Sequence, residues 1–169
     1  DFLGRERLAF GPWSAFERAI VRLFLHKGYP QVEYTGGPGD RGCDVIVLTP
    51  EPELEKLIIQ CKFTGGGKPA GTSGVSDPER ACIAWDANRG LLCINARSLS
   101  PAASELMGTL DSLGFDLEVW RHRELLTESN QLPMYSKHRK KPRKYQLKAI
   151  EDGLHSLRNN GRALIEMAT

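Results

Sequence analysis

Two short apolar segments stand out in the first half of the chain. Cys43–Leu48 and Leu57–Phe63 are rich in β-branched and other apolar residues, and the segment that separates them, Thr49–Lys56, is rich in Pro and Glu. This pattern predicts two neighbouring antiparallel strands joined by a hairpin connection. Because side chains alternate across a strand, we expect Gln60 and Lys62 on one face of the second strand, opposite Cys61.

The rest of the pattern predicts alternating helices and strands. A first helix is expected from Trp13 to Lys27, ending at Gly28, and the pairs Asp77-Pro78 and Ser100-Pro101 have the form of helix starts. Three more strands and a short helix are expected at Gln31–Tyr34, Leu91–Asn95, Phe115–Trp120 and Arg121–Thr127. The order predicts an α/β fold with a three-layer core, in which helices flank a central mixed β-sheet.

Composition suits one soluble domain with an additional piece. The chain has 169 residues, of which 40% are hydrophobic and 26% charged. No apolar run approaches the ~20 residues needed to span a bilayer, and no secretory leader is evident, so we expect a cytoplasmic protein without a membrane partner. The four cysteines are isolated in apolar surroundings and are expected to be buried, reduced thiols.

The candidate chemistry lies where the two apolar strands meet. A glycine-rich turn leads into Asp44, and the second strand ends in Gln60-Cys61-Lys62. If the strand register sets Asp44 opposite the polar pair Gln60 and Lys62, a carboxylate, an amide oxygen and an ammonium group converge. The candidate ligands for Mg²⁺, with Mn²⁺ as a substitute, are then Asp44, the side chain of Gln60 and the backbone carbonyl of Cys61. Such a site can hydrolyse a phosphodiester.

Two residues near this site keep open interpretations. Lys62 is expected either to orient the attacking water or to stabilise the developing charge, and its position in the sequence does not decide between these roles. Asp40, in the glycine-rich turn, is interpreted as a turn residue, with a metal-binding role as the less favoured alternative.

These residues carry a resemblance to a known family. Three segments resemble the Mrr-like branch of the PD-(D/E)XK nucleases, which are known from restriction endonucleases that cut DNA. In order along the chain they are Phe16-Glu17, Gly39-Asp40-Arg41-Gly42-Cys43-Asp44 and Gln60-Cys61-Lys62. The resemblance implies a restriction-endonuclease-like core in residues 1–127, with DNA as substrate. It also implies a four-residue site of Glu17, Asp44, Gln60 and Lys62, in which glutamine replaces the acidic residue of the wider superfamily.

Glu17 has a competing structural interpretation. Ser14 and Glu17 have the spacing of a capping box, in which Ser14 would cap the first helix and Glu17 would accept from the backbone amide of Ser14. The resemblance implies instead that Glu17 binds a metal ion or its water. The sequence leaves both possibilities open.

Positive charge is concentrated after residue 136. Residues 1–136 hold 14 Lys and Arg and 18 Asp and Glu, a net charge of −4, whereas residues 137–169 hold 9 and 3, a net charge of +6. The basic segment lies in a predicted linker, residues 128–144, which is expected either to be a solvated connection or to bind DNA phosphates. The candidate DNA-binding residues are Lys68, Lys137, Arg139, Lys140, Lys141, Arg143 and Lys144.

Residues 145–169 resemble the opening of a superfamily 2 helicase or translocase domain. The pair Tyr145-Gln146 precedes an amphipathic segment, and an apolar strand follows from Gly161. The resemblance implies that Gln146 reads adenine in a complete helicase domain. The chain ends before a phosphate-binding lysine, so ATP is expected as a cofactor only of the complete protein.

The principal hypothesis is therefore a Mg²⁺-dependent DNA endonuclease domain of an ATP-dependent restriction enzyme, with the helicase domain in cis and a homodimer as an open possibility. Two alternatives remain. One is a catalytically silent module for DNA binding or docking in a helicase. The other is a repair or junction-resolving nuclease with the same chemistry.

Overall fold

A computed structural model of the chain describes residues 3–37, 39, 41–49, 55–87, 89–132 and 144–160. The chain divides into two compact units, residues 1–132 and residues 133–169. Within the described ranges, no helix combines the length and the apolar character that crossing a membrane requires.

A five-stranded sheet forms the centre of the first unit. Its strands are β1 (Gln31–Tyr34), β2 (Val45–Leu48), β3 (Lys56–Lys62), β4 (Arg89–Ile94) and β5 (Asp116–Trp120). They lie in the sheet in the same order as in the sequence. The pairs β1–β2 and β2–β3 are antiparallel, and the pairs β3–β4 and β4–β5 are parallel. The sheet is therefore mixed, as predicted, and each of the five predicted strands is present.

Helices cover both faces of this sheet. The helices of the first unit are α1 (Arg5–Phe10), α2 (Trp13–His26), α3 (Ser73–Trp85), α4 (Pro101–Ser112) and α5 (His122–Gln131), with a short 3₁₀ turn at Gly65–Gly67. One face of the sheet packs against α1, α2 and α5 through a buried cluster that includes Leu8, Phe16, Ile20, Phe24, Ile59, Cys93 and Leu125. The other face packs against α3 and α4 through Val75, Leu92, Ile94, Ala103, Leu110 and Val119.

The alternation of side chains along β4 separates the two cores. Leu91 and Cys93 belong to the first cluster, whereas Leu92 and Ile94 belong to the second. Strand β4 therefore buries both of its faces, which explains why it has no polar side chain after Arg89. The resulting arrangement of helix layer, mixed sheet and helix layer confirms the predicted three-layer fold.

Helix α2 follows the prediction closely. It begins at Trp13, after Pro12 in an extended conformation, and its last residue is His26. Gly28 follows with φ of 85°, a conformation that favours glycine and ends the helix. The predicted helix start at Ser100 is also present, because the Ser100 hydroxyl accepts a hydrogen bond from the backbone N–H of Ala103.

The predicted start of α3 was wrong. Asp77 was interpreted as the cap and Pro78 as the first residue of the helix, but the helix begins five residues earlier, at Ser73, and Pro78 lies inside it. Val75 is fully buried against the sheet, and burial of this side chain extends the helix in the N-terminal direction. Asp77 therefore lies within a helix rather than at its end, which matters for the candidate site.

Two further helices differ from the expectation. Helix α1 was not predicted, because six residues carry too little apolar periodicity to indicate a helix. Helix α5 runs to Gln131, beyond the predicted Thr127. In the second unit, α6 (Lys144–Asn160) covers the amphipathic segment, whereas the strand predicted after Gly161 lies outside the described residues.

Candidate active site

Asp44 and Gln60 lie opposite each other at the ends of β2 and β3. The register pairs Val45 with Ile59, and the backbone N–H of Asp44 donates to the carbonyl of Ile59 at 2.9 Å. Both polar side chains are only 4% exposed. A buried carboxylate loses its contacts with water, and hydrogen bonds within the protein must compensate for this loss. The hydrogen-bond partners of Asp44 therefore describe the site.

Two oxygen atoms converge on the amide of Gln60. Gln60 Nε2 donates to Asp44 Oδ2 at 2.5 Å and to the backbone carbonyl of Cys61 at 3.2 Å. The backbone N–H of Cys61 also donates to Asp44 Oδ2, at 2.7 Å. The three predicted ligands, Asp44, Gln60 and the Cys61 carbonyl, are thus brought together at one point of the sheet.

The remaining amide atom of Gln60 has no hydrogen-bond partner. Within the described ranges, Gln60 Oε1 is buried and accepts no hydrogen bond. A buried acceptor without a donor costs about 1–3 kcal/mol, so natural proteins keep few of them outside functional sites. Rotation of the amide by a half-turn would exchange Oε1 and Nε2. Oε1 would then lie beside Asp44 Oδ2 and the Cys61 carbonyl oxygen, and three such oxygen atoms form a ligand set that suits a hard divalent cation.

The thiol of Cys61 does not add to this donor set. Burial, together with the charges of Cys93, Asp44 and Glu17, raises the pKa of Cys61 well above its ordinary value. The thiol is therefore neutral, and only the backbone carbonyl of Cys61 is available to a cation. Across the part of the chain that the structure describes, no group of three or more His, Cys, Asp and Glu side chains is placed to hold a metal ion.

The turn before Asp44 depends on Gly42. Its φ is 84°, and a Cβ atom at this position would lie 2.6 Å from the backbone carbonyl of Asp77. Glycine is therefore required for two reasons, the left-handed backbone and the close approach of α3. Asp40, in the same turn, lies outside the described residues.

Lys62 shares the sheet face of Gln60, as the alternation predicts. A Cβ atom at Gly74, on α3, would lie 3.4 Å from Cγ of Lys62, so the lysine stem packs against this helix. Lys62 Nζ then donates to Asp77 Oδ2 at 2.7 Å. Asp77 also accepts from Arg80, one turn further along α3. The sequence analysis missed Asp77 as a partner of Lys62 because it assigned this residue to a helix cap.

Glu17 lies on α2 and is 6% exposed. Tyr34 Oη, at the end of β1, donates to Glu17 Oε2 at 2.7 Å. The capping-box interpretation was wrong, because Ser14 lies inside the helix, where its hydroxyl accepts from Arg18. Glu17 is thus turned toward the sheet rather than toward its own helix end.

Tyr34 links the two acidic residues of the candidate site. Its pKa is raised to about 12, first by the hydrogen bond to Glu17, then by burial and by the charges of Glu17 and Asp44. A Cβ atom at Gly36 would lie 2.7 Å from Tyr34 Oη, so the turn glycine gives the phenol its space. Tyr34 was not predicted. Alternation places its side chain on the same sheet face as that of Val32, which packs on the α2 side, but does not indicate the contact with Glu17.

The candidate DNA-binding residues are only partly described. Lys68 is exposed and follows the 3₁₀ turn Gly65–Gly67. Lys144 and Gln146 lie in α6, but their side chains are outside the described part of the structure. The remaining basic residues, Lys137, Arg139, Lys140, Lys141 and Arg143, also lie outside the described residues.

The fold and this constellation define a class of protein. A mixed sheet lies between two helix layers. It carries the buried residues Asp44 and Gln60 at adjacent strand ends, with Lys62 two residues beyond Gln60, and Glu17 lies on the first long helix. This is the arrangement of a restriction-endonuclease-like α/β domain. Residues 11–127 match the model of the Mrr_cat family, described as "Restriction endonuclease", and the chain belongs to that family. Family membership indicates a DNA endonuclease.

Other comparisons add little. No curated protein matches the chain. Among solved structures, a crystal structure of AF1548, described as a protein of unknown function, is 16% identical and covers 81% of this chain and 76% of its own, with a TM-score of 0.48. A similarity at this level carries no argument about function.

Proposed function

We propose that the chain is a Mg²⁺-dependent endonuclease domain that hydrolyses DNA phosphodiester bonds, with Mn²⁺ as a substitute metal. The observation that carries the proposal is the convergence of Asp44 Oδ2 and the Cys61 carbonyl on the amide of Gln60, whose own oxygen is buried without a partner. Buried oxygen donors of this kind suit Mg²⁺, which prefers carboxylate and carbonyl ligands and retains several waters.

Asp44 would be the principal ligand because it supplies the full negative charge of the group. Gln60 would contribute Oε1 after the half-turn of its amide, and Cys61 its carbonyl. Glu17 would bind a metal ion or its water from α2, where Tyr34 now fixes its carboxylate. Bound Mg²⁺ would supply charge neutralisation at the phosphate, a more acidic water and stabilisation of the leaving oxygen.

Lys62 would act on the substrate directly. Its ammonium, held by Asp77 on one side, retains two further N–H donors. One of these would contact the phosphate oxygen that gains charge, or the attacking water, and both roles require a fixed position. Asp77 and the backbone of Gly74 provide that position.

The resemblance of residues 145–169 to the opening of a helicase domain supports a proposal for the wider assembly. We propose that residues 1–127 form the nuclease, residues 128–144 a basic linker and residues 145–169 the start of a helicase domain in cis. In this proposal ATP, read by Gln146, binds only to the complete protein, as part of an ATP-dependent restriction enzyme acting on cytoplasmic DNA. Cutting both strands would require two such sites, which a homodimer would supply.

Cleavage of supercoiled plasmid at low salt tests the proposal. The intact chain is incubated with Mg²⁺, with Mn²⁺ or with EDTA, beside Asp44→Ala and Lys62→Ala. Each variant has a matched control: Asp116→Ala removes an exposed carboxylate on β5, and Lys56→Ala removes a lysine at the opposite end of β3. Circular dichroism verifies that each protein is folded.

We expect metal-dependent nicking by the intact chain and both controls, and a loss of about 10³-fold or more in the two site variants. Nicking by Asp44→Ala at the rate of its control would rule out the site.

If the intact chain leaves DNA uncut with either metal, the full protein with ATP is assayed next. Cleavage there, lost in Asp44→Ala, retains the proposal, whereas its absence favours the silent binding module. Branched substrates cut in preference to linear duplex would indicate the junction-resolving alternative.

A further inference from the structure

A second recess lies at the same edge of the sheet as the candidate active site. It is a cavity of about 450 Å³, and its lining residues are Leu8, Ala9, Gly67, Asn95, Arg97 and His122. These come from α1, the 3₁₀ turn, the segment after β4 and the first residue of α5. The predicted DNA-binding residue Lys68 directly follows Gly67 in the chain.

The position of the cavity relative to Lys62 is set by the sheet. Lys62 pairs with Ile94 in the parallel β3–β4 ladder, and Asn95 comes next along the chain. Asn95 Oδ1 accepts from the backbone N–H of Thr64 at 2.6 Å, and Asn95 Nδ2 donates to the carbonyls of Thr64 and Leu8, each at 2.9 Å. Thr64 lies two residues beyond Lys62. With ~3.3 Å per residue along a strand and ~4.8 Å between strands, the cavity is about 10 Å from the backbone of Lys62. Leu8 in its lining packs on the sheet face of α1, α2 and α5, whereas the Lys62 stem packs against α3 on the other face.

The charge of the cavity is positive. Its lining contains Arg97 and His122 but no Asp or Glu. Within the part of the chain that is described, neither Arg97 nor His122 forms an ion pair. Glu124, the nearest acidic residue in the first turn of α5, accepts from the backbone N–H of Arg121 and does not line the cavity.

This positive recess lies in an otherwise acidic part of the chain. Residues 1–136 carry a net charge of −4, so the net charge of this part of the chain does not favour DNA binding. A carboxylate-free cavity with an arginine and a histidine, about 10 Å from the backbone of the candidate catalytic lysine, therefore has the chemistry to bind an anion that approaches together with the substrate. Each DNA strand carries one phosphate per ~3.4 Å of helix axis, so about 10 Å along the axis corresponds to about three nucleotides.

We propose that this cavity binds a backbone phosphate of DNA, one to three nucleotides from the bond that is cut. The inference rests on the proposed nuclease function and assigns a second contact for the same substrate. Arg97 and His122 donate to the phosphate oxygens, and Asn95 fixes the floor of the cavity. Such a contact carries no sequence information; it sets the register of the strand so that one phosphate reaches Lys62.

Binding is measured in EDTA, so that no DNA is cut. The affinity of the intact chain for a labelled 30-base-pair duplex is followed by fluorescence anisotropy across a series of NaCl concentrations, beside Arg97→Gln and His122→Gln. Arg123→Gln is the matched control, because Arg123 is an exposed arginine next to His122 that does not line the cavity. Thermal unfolding verifies folding, and Arg97, being exposed, carries the test if His122→Gln fails to fold.

We expect Arg97→Gln to weaken binding about 10-fold at low salt and to reduce the slope of log K against log [NaCl] by about 0.9, the value for one lost phosphate contact. Arg123→Gln should bind like the intact chain. Equal affinities and slopes for Arg97→Gln and Arg123→Gln would overturn the inference, as would an intact chain that does not bind DNA.

The plasmid assay separates this inference from the proposed function. If Arg97→Gln binds and cleaves DNA like the intact chain, the nuclease proposal is retained and the proposed phosphate contact in the cavity is overturned. If Arg97→Gln binds DNA more weakly but the intact chain does not cut DNA, the phosphate site is retained and the catalytic proposal is overturned.

Discussion

Lys62 Nζ lies 2.7 Å from Oδ2 of Asp77, a residue of the helix that packs over the candidate site. The Asp77 side chain is 14% exposed and that of Lys62 31%, so the pair is shielded from most solvent. Asp77 also contributes its backbone carbonyl to the close contact with Gly42, in the turn that precedes Asp44. One helical residue therefore contacts both Lys62 on β3 and the turn that leads into Asp44.

We predict that Asp77→Asn lowers the cleavage rate about 10-fold, as loss of a partner that orients a functional group commonly does. The ammonium of Lys62 would keep its charge but lose its fixed position, so kcat should fall more than KM rises. The free energy of unfolding should decrease by about 1 kcal/mol. Plasmid cleavage and urea unfolding measure the two effects.

The control for this prediction is Asp116→Asn. It removes the partner of Arg89, in a more exposed pair at the far side of the sheet. Cleavage by this variant should equal that of the intact chain. If Asp77→Asn and Asp116→Asn cleave equally well, Asp77 has no role in positioning Lys62.

Replacement of Gln60 by Glu tests the oxygen cluster. The new carboxylate would replace an amide that donates to Asp44 at 2.5 Å, so two buried negative charges would meet. We expect the pKa of the new glutamate to be raised. A raised carboxyl pKa means that the folded state binds more protons than the unfolded state, so stability falls as the pH rises through the ordinary glutamate range toward neutrality.

A divalent cation should reverse this loss. We predict that Gln60→Glu has a lower Tm than the intact chain in EDTA at pH 7.5, and that Mg²⁺ raises its Tm more than that of the intact chain. Differential scanning fluorimetry measures both values. A variant whose Tm does not respond to Mg²⁺ or Mn²⁺ would contradict the proposed ligand set.

Much of this architecture was accessible from the sequence. Alternation along Leu57–Phe63 placed Gln60 and Lys62 on one face, and the hairpin connection allowed a register with Asp44 opposite them, which the structure shows for Gln60. These are local consequences of strand geometry, which a sequence expresses directly. The three-layer fold followed from the order of strands and helices for the same reason.

The partners of the site residues were not accessible. Tyr34 meets Glu17, and Asp77 meets Lys62, only because strand and helix pack in a particular orientation, and no period along the chain encodes that contact. The start of α3 was wrong for a related reason. A local signal, Asp77 before Pro78, was outweighed by burial of Val75 against the sheet.

The Tyr34–Glu17 hydrogen bond predicts a pH dependence of stability. The pKa of Tyr34 is raised from 10.0 to about 12, chiefly by Glu17. A raised tyrosine pKa means that the protonated phenol is favoured in the folded state. Its contribution to stability is therefore complete below pH 10 and is lost as the pH rises from 10 to 12.

Comparison with Tyr34→Phe isolates this contribution from that of the buried thiols, which are common to both proteins. We expect the variant to be less stable than the intact chain at pH 8 and the difference to disappear toward pH 12. Urea unfolding at fixed pH values measures the difference. A difference that stays constant over this range would show that the phenol does not donate to Glu17.

The four cysteines give a measure of global unfolding. All four are buried, and burial is the main cause that raises their pKa values. The pKa of Cys43 is raised to about 11 and that of Cys82 to about 12. The pKa values of Cys61 and Cys93 are raised well above the ordinary value. Thiol reagents require the exposed thiolate, so we predict that none of the four reacts readily with iodoacetamide in the folded chain at pH 8. In urea all four should react together, because all pack against the same sheet: Cys61 and Cys93 lie in the cluster against α2, and Cys43 and Cys82 lie in a smaller cluster with Ile58 and Ala81. Mass spectrometry of a timed reaction counts the modified thiols. Rapid modification of one cysteine in the absence of urea would show that its part of the sheet opens independently of the rest.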